Sequence, residues 1–294
     1  MASPSGAAQG WRQRRRYRRP QRWLLGPLLA RVAKPWLAVV LANSLPLAGM
    51  AGVVQLKLEN IVGSAEMLAW AKDNGCSWNA RICALAAAGG HLDALRWARK
   101  HGCKWDASTC EAAAMGGHLE VLQWARAHNC RWVALTCARA AGGGHLEVLQ
   151  WAREHGCSWD SGTCNCAAYG GHLEVLQWAR KHHCPWGAMT CARAARGGHL
   201  QVLQWTRAHG CLWDQWTCEH AAEGGHLEVL QWAVENDCPW GARTCACAAE
   251  NGRLEVLKWA VEHGCPMNAT VCAYLADGNG HVEVAQWVRA QPVL

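Results

Sequence analysis

Thr163-Cys164-Asn165-Cys166-Ala167-Ala168-Tyr169-Gly170-Gly171-His172-Leu173-Glu174-Val175-Leu176-Gln177-Trp178-Ala179 is the stretch that decides the fold. Thr163 is a good helix N-cap, and Cys164 with Ala167-Ala168 predicts a short helix stopped by Gly170-Gly171. A second helix is predicted from about His172 to Lys181. Its Leu173, Val175, Leu176, Trp178 and Ala179 form a broad apolar stripe, with Glu174, Gln177 and Arg180 outside it. Alternating apolar runs and Asn-Gly hairpin signals are both missing from the unit, so strands are not expected in it.

The same unit recurs along the chain. Trp70, Trp97, Trp124, Trp151, Trp178, Trp205, Trp232 and Trp259 are each 27 residues apart, and Trp287 follows after 28. Cys83, Cys110, Cys137, Cys164, Cys191, Cys218, Cys245 and Cys272 keep that interval, as do the cysteines from Cys76 to Cys265. The composition of the 294-residue chain carries the same mark, with 20 Trp, 18 Cys and no Phe: one unit copied many times. A 27-residue unit encloses almost no interior. Its apolar face, Trp178 included, is expected to be buried by stacking against neighbouring units. The expected fold class is all-α, a solenoid of stacked helix-turn-helix repeats.

Gly144-His145-Leu146-Glu147-Val148-Leu149, followed by Gly156-Cys157, resembles the second helix of an ankyrin repeat, and Ala140-Ala141 resembles the paired alanines of the first. Trp151 and Ala152 stand where that family has a leucine run, and Cys157 where it has alanine. The resemblance covers about residues 63–294. It implies protein–protein binding through the face that lines the family's concave groove. Two features depart from the family. An ankyrin unit has about 33 residues; these have 27, the shortfall lying mostly between Trp132 and Thr136. The Thr-Pro-Leu-His opening is replaced by Thr-Cys. The hairpin finger is therefore expected to be absent.

Two regions are expected: an N-terminal tail over 1–50 and the solenoid over 51–294. The tail holds Arg12, Arg14, Arg15, Arg16, Arg18, Arg19, Arg22, Arg31 and Lys34 and no acid. The net charge of +7 therefore leaves residues 51–294 at −2, which argues against a nucleic-acid-binding body. Four readings of the tail stand side by side, the first a disordered segment. The uncharged run from Pro35 to Leu56 is long enough for a membrane anchor, although Asn43, Ser44, Pro46, Gly49, Gly52 and Gln55 make it only mildly apolar. The acid-free, arginine-rich start fits an organelle transit peptide. The basic run alone fits a nuclear signal or a nucleic-acid contact. A cytoplasmic location is expected, with membrane or organelle association as alternatives. The end units are atypical: Ser64 replaces the usual His in a degenerate first unit over 51–74. Arg253 breaks the His column, and Met267 and Val271 replace Trp and Thr.

No residue set reads as a catalytic site, and neither a cofactor, a metal nor a small-molecule substrate is expected. The Cys columns occupy positions where small buried residues are wanted. Equivalent thiols one helix spacing apart, about 8–10 Å, are too distant for a ladder of disulfides. Cys164-Asn165-Cys166 and Cys245-Ala246-Cys247 lack zinc-site spacing. His91, His118, His145, His172, His199, His226 and His281 each follow Gly at a helix start, where an imidazole can tie the turn to backbone groups. Gly142-Gly143-Gly144 lacks the Lys-Ser/Thr of a phosphate loop.

Binding is expected where the copies differ. One column reads Met115, Gly142, Tyr169, Arg196, Glu223, Glu250. A second reads Ala112, Arg139, Cys166, Arg193, His220, Cys247, and a third Ser108, Leu135, Gly162, Met189, Trp216, Arg243. The candidate partner-binding residues are Met115, Arg139, Tyr169, Arg193, Arg196, Trp216, His220, Glu223 and Glu250, a set rich in the Trp, Tyr and Arg of binding hot spots. The expected function is a non-catalytic scaffold for other proteins. A membrane-tethered adaptor anchored by 35–56 is the alternative.

Overall fold

The computed structural model describes residues 62–73 and 78–291, with the backbone of 44–45 and 54–56. The chain divides into two compact units, Met1–Lys57 and Leu58–Leu294. In the first, β1 (Ser44–Leu45) pairs antiparallel with β2 (Val54–Leu56), Ser44 opposite Leu56. Val54–Leu56 is thus a strand, where a degenerate helical unit was expected from residue 51.

The second unit holds seventeen α-helices among the described residues. They run α1 (Ala65–Asp73), α2 (Ala80–Ala88), α3 (Leu92–Lys100), α4 (Ala107–Met115), α5 (Leu119–Ala127) and α6 (Ala134–Gly142). Next come α7 (Leu146–Glu154), α8 (Ser161–Tyr169), α9 (Leu173–Lys181), α10 (Ala188–Gly197), α11 (Leu200–Ala208) and α12 (Gln215–Gly224). The last are α13 (Leu227–Glu235), α14 (Ala242–Glu250), α15 (Leu254–Glu262), α16 (Ala269–Gly278) and α17 (Val282–Arg289). From α2 onward each even-numbered helix is the first of a unit and packs on the odd-numbered helix that follows. The first helices also lie side by side in chain order, from α2 to α16. This is an all-α solenoid of stacked helix-turn-helix units. The connections between units, such as His155–Asp160, run as a turn and an extended stretch without a strand.

Helices this short are marginal alone in water. What holds them is a core repeated in every unit. Leu149, Ala152, Cys137, Cys157, Ala140, Ala141 and Thr136 are fully buried, as are their equivalents in the neighbouring copies. Small residues on the first helices let consecutive backbones approach closely, while Val148 and Leu149 of the second helix fill the layer between.

Two expectations are corrected here. The Trp rings of the repeating columns, such as Trp151, Trp159 and Trp178, are half-buried and flank the core. Trp151 packs edge-on against Trp132 of the adjoining loop (5.8 Å between centroids) and stacks on His155 at 4.2 Å. The guanidinium of Arg153 lies 4.2 Å over Trp159 and donates to the carbonyl of Cys157. Trp159 in turn meets Trp178 edge-on at 5.8 Å, so the rings form a ladder from unit to unit along one edge. A rigid indole with a charged or imidazole neighbour suits such a half-wet position.

Thr163, in turn, is not the N-cap of its helix. Asp160 is, its carboxylate accepting from Gly162 N–H at 2.8 Å, and Thr163 sits buried inside the first turn. From α4 onward the caps alternate from unit to unit; before that, Asn79 caps α2 with its side chain as Asp106 does α4. Asp106, Asp160 and Asp214 cap α4, α8 and α12. Val133, Gly187 and Gly241 stand at that position in α6, α10 and α14. There the Oγ of Thr136, Thr190 and Thr244 accepts the N–H of the N-cap residue at 3.4, 3.4 and 3.3 Å. The following loops alternate too: Gly102, Gly156, Gly210 and Gly264 take positive φ in one set, Asn129, His183 and Asp237 in the other. The structural period is therefore two units.

Candidate functional site

Column positions such as Ser108, Ala112 and Met115 are four and three residues apart, which puts them on one stripe of a helix. Because the first helices stack side by side, their stripes join into one continuous face. Met115, Arg139, Tyr169, Trp216 and Glu250 are exposed on it, and Arg193, Arg196, His220 and Glu223 are half-buried. All nine sequence-predicted residues thus lie on first helices, from α4 to α14.

They gather into two groups, with Met115 and Glu250 at the ends. In the C-terminal group Glu223 accepts from Arg196 Nη2 at 2.5 Å and from His220 Nδ1 at 2.7 Å, with Trp216 edge-on to His220 at 6.0 Å. The Arg196 backbone is held as well, its carbonyl taking His226 Nε2 at 3.1 Å. Beside them the buried carboxylate of Glu219 accepts from Arg243 Nε at 3.1 Å. In the other group, Arg139 of α6 and Arg193 of α10 flank Tyr169 and Cys166 of α8. Burial pushes the Cys166 thiol up, Arg139 and Arg193 pull it down, and Asp160 pushes it up.

Sequence reasoning left Glu219, Arg243 and Cys166 out of the candidate set. The signal for Glu219 is the column Glu111, Ala138, Asn165, Ala192, Glu219, Ala246, which alternates polar with Ala. Its polar members reach the next unit: Asn165 Oδ1 accepts from Thr190 Oγ at 2.8 Å as Glu219 does from Arg243.

The repeated Gly-Gly-His turn fixes the height of each unit on the last. Nε2 of His118, His145, His172, His199 and His226 bonds the carbonyl of Ala88, Met115, Gly142, Tyr169 and Arg196, at 2.9–3.1 Å. Each acceptor is at the C-terminal end of the preceding first helix, where carbonyls lack helical partners. The close fit requires glycine: a Cβ on Gly143 would lie 2.5 Å from the Met115 carbonyl oxygen.

The cysteines pair across columns rather than along them. The neighbouring thiol of Cys130 in the same unit, together with burial, pushes the Cys110 thiol up. Cys130 Sγ also lies 3.3 Å from the Asp106 carbonyl oxygen. The seventeen described cysteines are free thiols, and all but Cys166 and Cys247 are buried.

Among the described residues no helix is long and apolar enough to cross a membrane, and no group of three or more His, Cys, Asp or Glu is placed to hold a metal. The basic run Arg12–Arg22 lies outside the described residues, as does 35–56 apart from the two short strands.

The chain matches no protein-family model and no curated protein. Among solved structures it is similar to the crystal structure of the human ASB11 ankyrin repeat domain. The identity is 15% and the TM-score 0.45, over 63% of this chain and 99% of that one.

Proposed function

We propose that this chain is a non-catalytic scaffold that binds another protein across the joined face of its first helices. The observation that carries this reading is the separation of fixed from variable positions. Leu149, Ala141, Cys137, Gly144 and His145 recur from unit to unit because packing or the turn needs them. The three varying columns share a face that neither the core nor the turn uses. Its Tyr169, Trp216 and arginines are residue types that dominate protein-binding energy.

Affinity purification with mass spectrometry tests it, comparing the natural chain with the combined variant Tyr169→Ala, Arg196→Ala, Trp216→Ala. Partners should be lost at unchanged melting temperature. Partners retained by the folded variant would move binding off this face.

A further inference from the structure

The charges on this face are distributed unevenly. Its C-terminal part is neutralised from within, Glu223 by Arg196 with a further hydrogen bond from His220, and Glu219 by Arg243. Around Tyr169 the balance differs: among the described residues no carboxylate pairs with Arg139 or Arg193.

Both arginines serve one spot. They hold the same helix position in α6 and α10, the two neighbours of α8, and the charge of each acts on the Cys166 thiol between them. Tyr169 stands one turn further along α8 and is 52% exposed. Beside it α6 packs closely on α8 at Gly142, where a Cβ would sit 3.3 Å from Cys166 Cβ. Met115, at 46% exposure, and Leu135, at 42%, supply apolar surface at the N-terminal side. The result is a patch with a cation on each side and an exposed aromatic ring at its end.

Resting on the scaffold reading above, we infer that the patch between Arg139 and Arg193 receives an acidic peptide segment of the partner, whose carboxylates pair with the two guanidiniums while an apolar side chain packs on Tyr169. Guanidinium forks match carboxylates bidentately, and the pairing is charge-assisted. A protein segment fits better than a nucleic acid. The two cations are isolated, with Asp160 close by and Glu219, Glu223 and Glu250 further along the face, whereas a phosphate backbone calls for a continuous basic track.

The test is selection from a random-peptide display library on the purified full-length chain, with the same selection on Arg139→Glu/Arg193→Glu and on Tyr169→Ala/Trp216→Ala. Circular dichroism and melting temperature confirm that each variant is folded. The expected outcome is a pool enriched in Asp and Glu, binding at least about tenfold more weakly to the charge-reversed chain and weakening as salt rises. A pool that needs Tyr169 and Trp216 but carries no acidic bias overturns the inference and leaves the scaffold reading intact. Peptides indifferent to both variants overturn the two together. A fluorescently labelled single-stranded oligonucleotide is run in parallel. Binding of it that depends on Arg139 and Arg193 would replace the acidic peptide by a nucleic acid and so overturn the inference.

Discussion

Arg253 Nε donates to the carbonyl oxygen of Glu223 at 3.2 Å, the bond that His226 makes to Arg196 one unit earlier. The break in the His column is therefore a change of donor with the staple kept. A donor is required because the accepting carbonyl sits at the end of a packed helix, and stranding such a group costs about 1–3 kcal/mol. Arg253→His should leave the urea midpoint nearly unchanged. Arg253→Ala and His172→Ala should each lose about 1–3 kcal/mol. Equal effects of Arg253→His and Arg253→Ala would remove the staple from the account.

Gly144 and Gly156 separate two costs of adding a side chain. Both have positive φ, +77° and +83°, but a Cβ on Gly144 would lie 2.6 Å from the His172 ring, whereas nothing lies within 4 Å at Gly156. Gly156→Ala should cost only the backbone strain of about 1 kcal/mol. Gly156→Asn should cost less still, since Asn129 holds the equivalent site at φ 61°. Gly144→Ala should be the most destabilising of the three, because the inter-unit His must also move. Thermal melts of the three variants give the order directly.

Leu149 and Trp151 test where the stability resides. Leu149 is fully buried, and Leu149→Ala should cost about 3 kcal/mol or more. Trp151 is half-buried in the ring ladder, so Trp151→Ala should cost less than Leu149→Ala, about 2 kcal/mol. Urea denaturation at constant m-value compares them. A larger loss at Trp151 would restore the indoles to the centre of the core.

The unit, its two helices and their stacking were legible because spacing and apolar stripes are local properties that every copy repeats. Burial of Trp178 was misjudged for a physical reason: periodicity says which residues share a stripe, but not how far its edge lies from the solvent. Thr163 was misread as a cap because six consecutive units have a Thr there. The true cap, Asp160, is present only in alternate units, and a single averaged unit hides it. Partners on neighbouring units, such as Gly142 for His172 or Arg243 for Glu219, depend on how copies are stacked, which no single copy records. The candidate face was legible because its residues escape the packing rule. Its division into a neutralised part and a basic part needed the ion pairs themselves.

Burial holds the thiols of Cys247 and Cys272 up at about 11 in the folded chain. In the unfolded chain thiols ionise near the ordinary value of about 8.5. At neutral pH both states keep the proton and nothing is gained. As pH rises from the ordinary value toward 11, the unfolded state releases protons that the folded state retains, so stability falls with pH across that window. The melting temperature should be level near neutrality and decline above about pH 8.5, and the decline should be shallower in Cys272→Ala. An identical decline in that variant would show that other groups carry it.

Thr190 and Thr217 occupy the same helix position in adjacent units and should respond oppositely to one substitution. Thr190 Oγ accepts the Gly187 N–H at 3.4 Å and donates to Asn165 Oδ1 at 2.8 Å. Replacing it with Val keeps the shape but strands both partners, at a cost of about 1–3 kcal/mol. Thr217 lies in a unit capped by Asp214, whose carboxylate accepts from Trp216 N–H at 3.0 Å, and its own buried hydroxyl has no hydrogen-bond partner. Thr217→Val removes a polar group that burial penalises, so it should be neutral or slightly stabilising. Differential scanning calorimetry of the two variants should therefore shift melting temperatures apart. Equal losses at both sites would mean that the units are capped alike and that the two-unit period has no energetic basis.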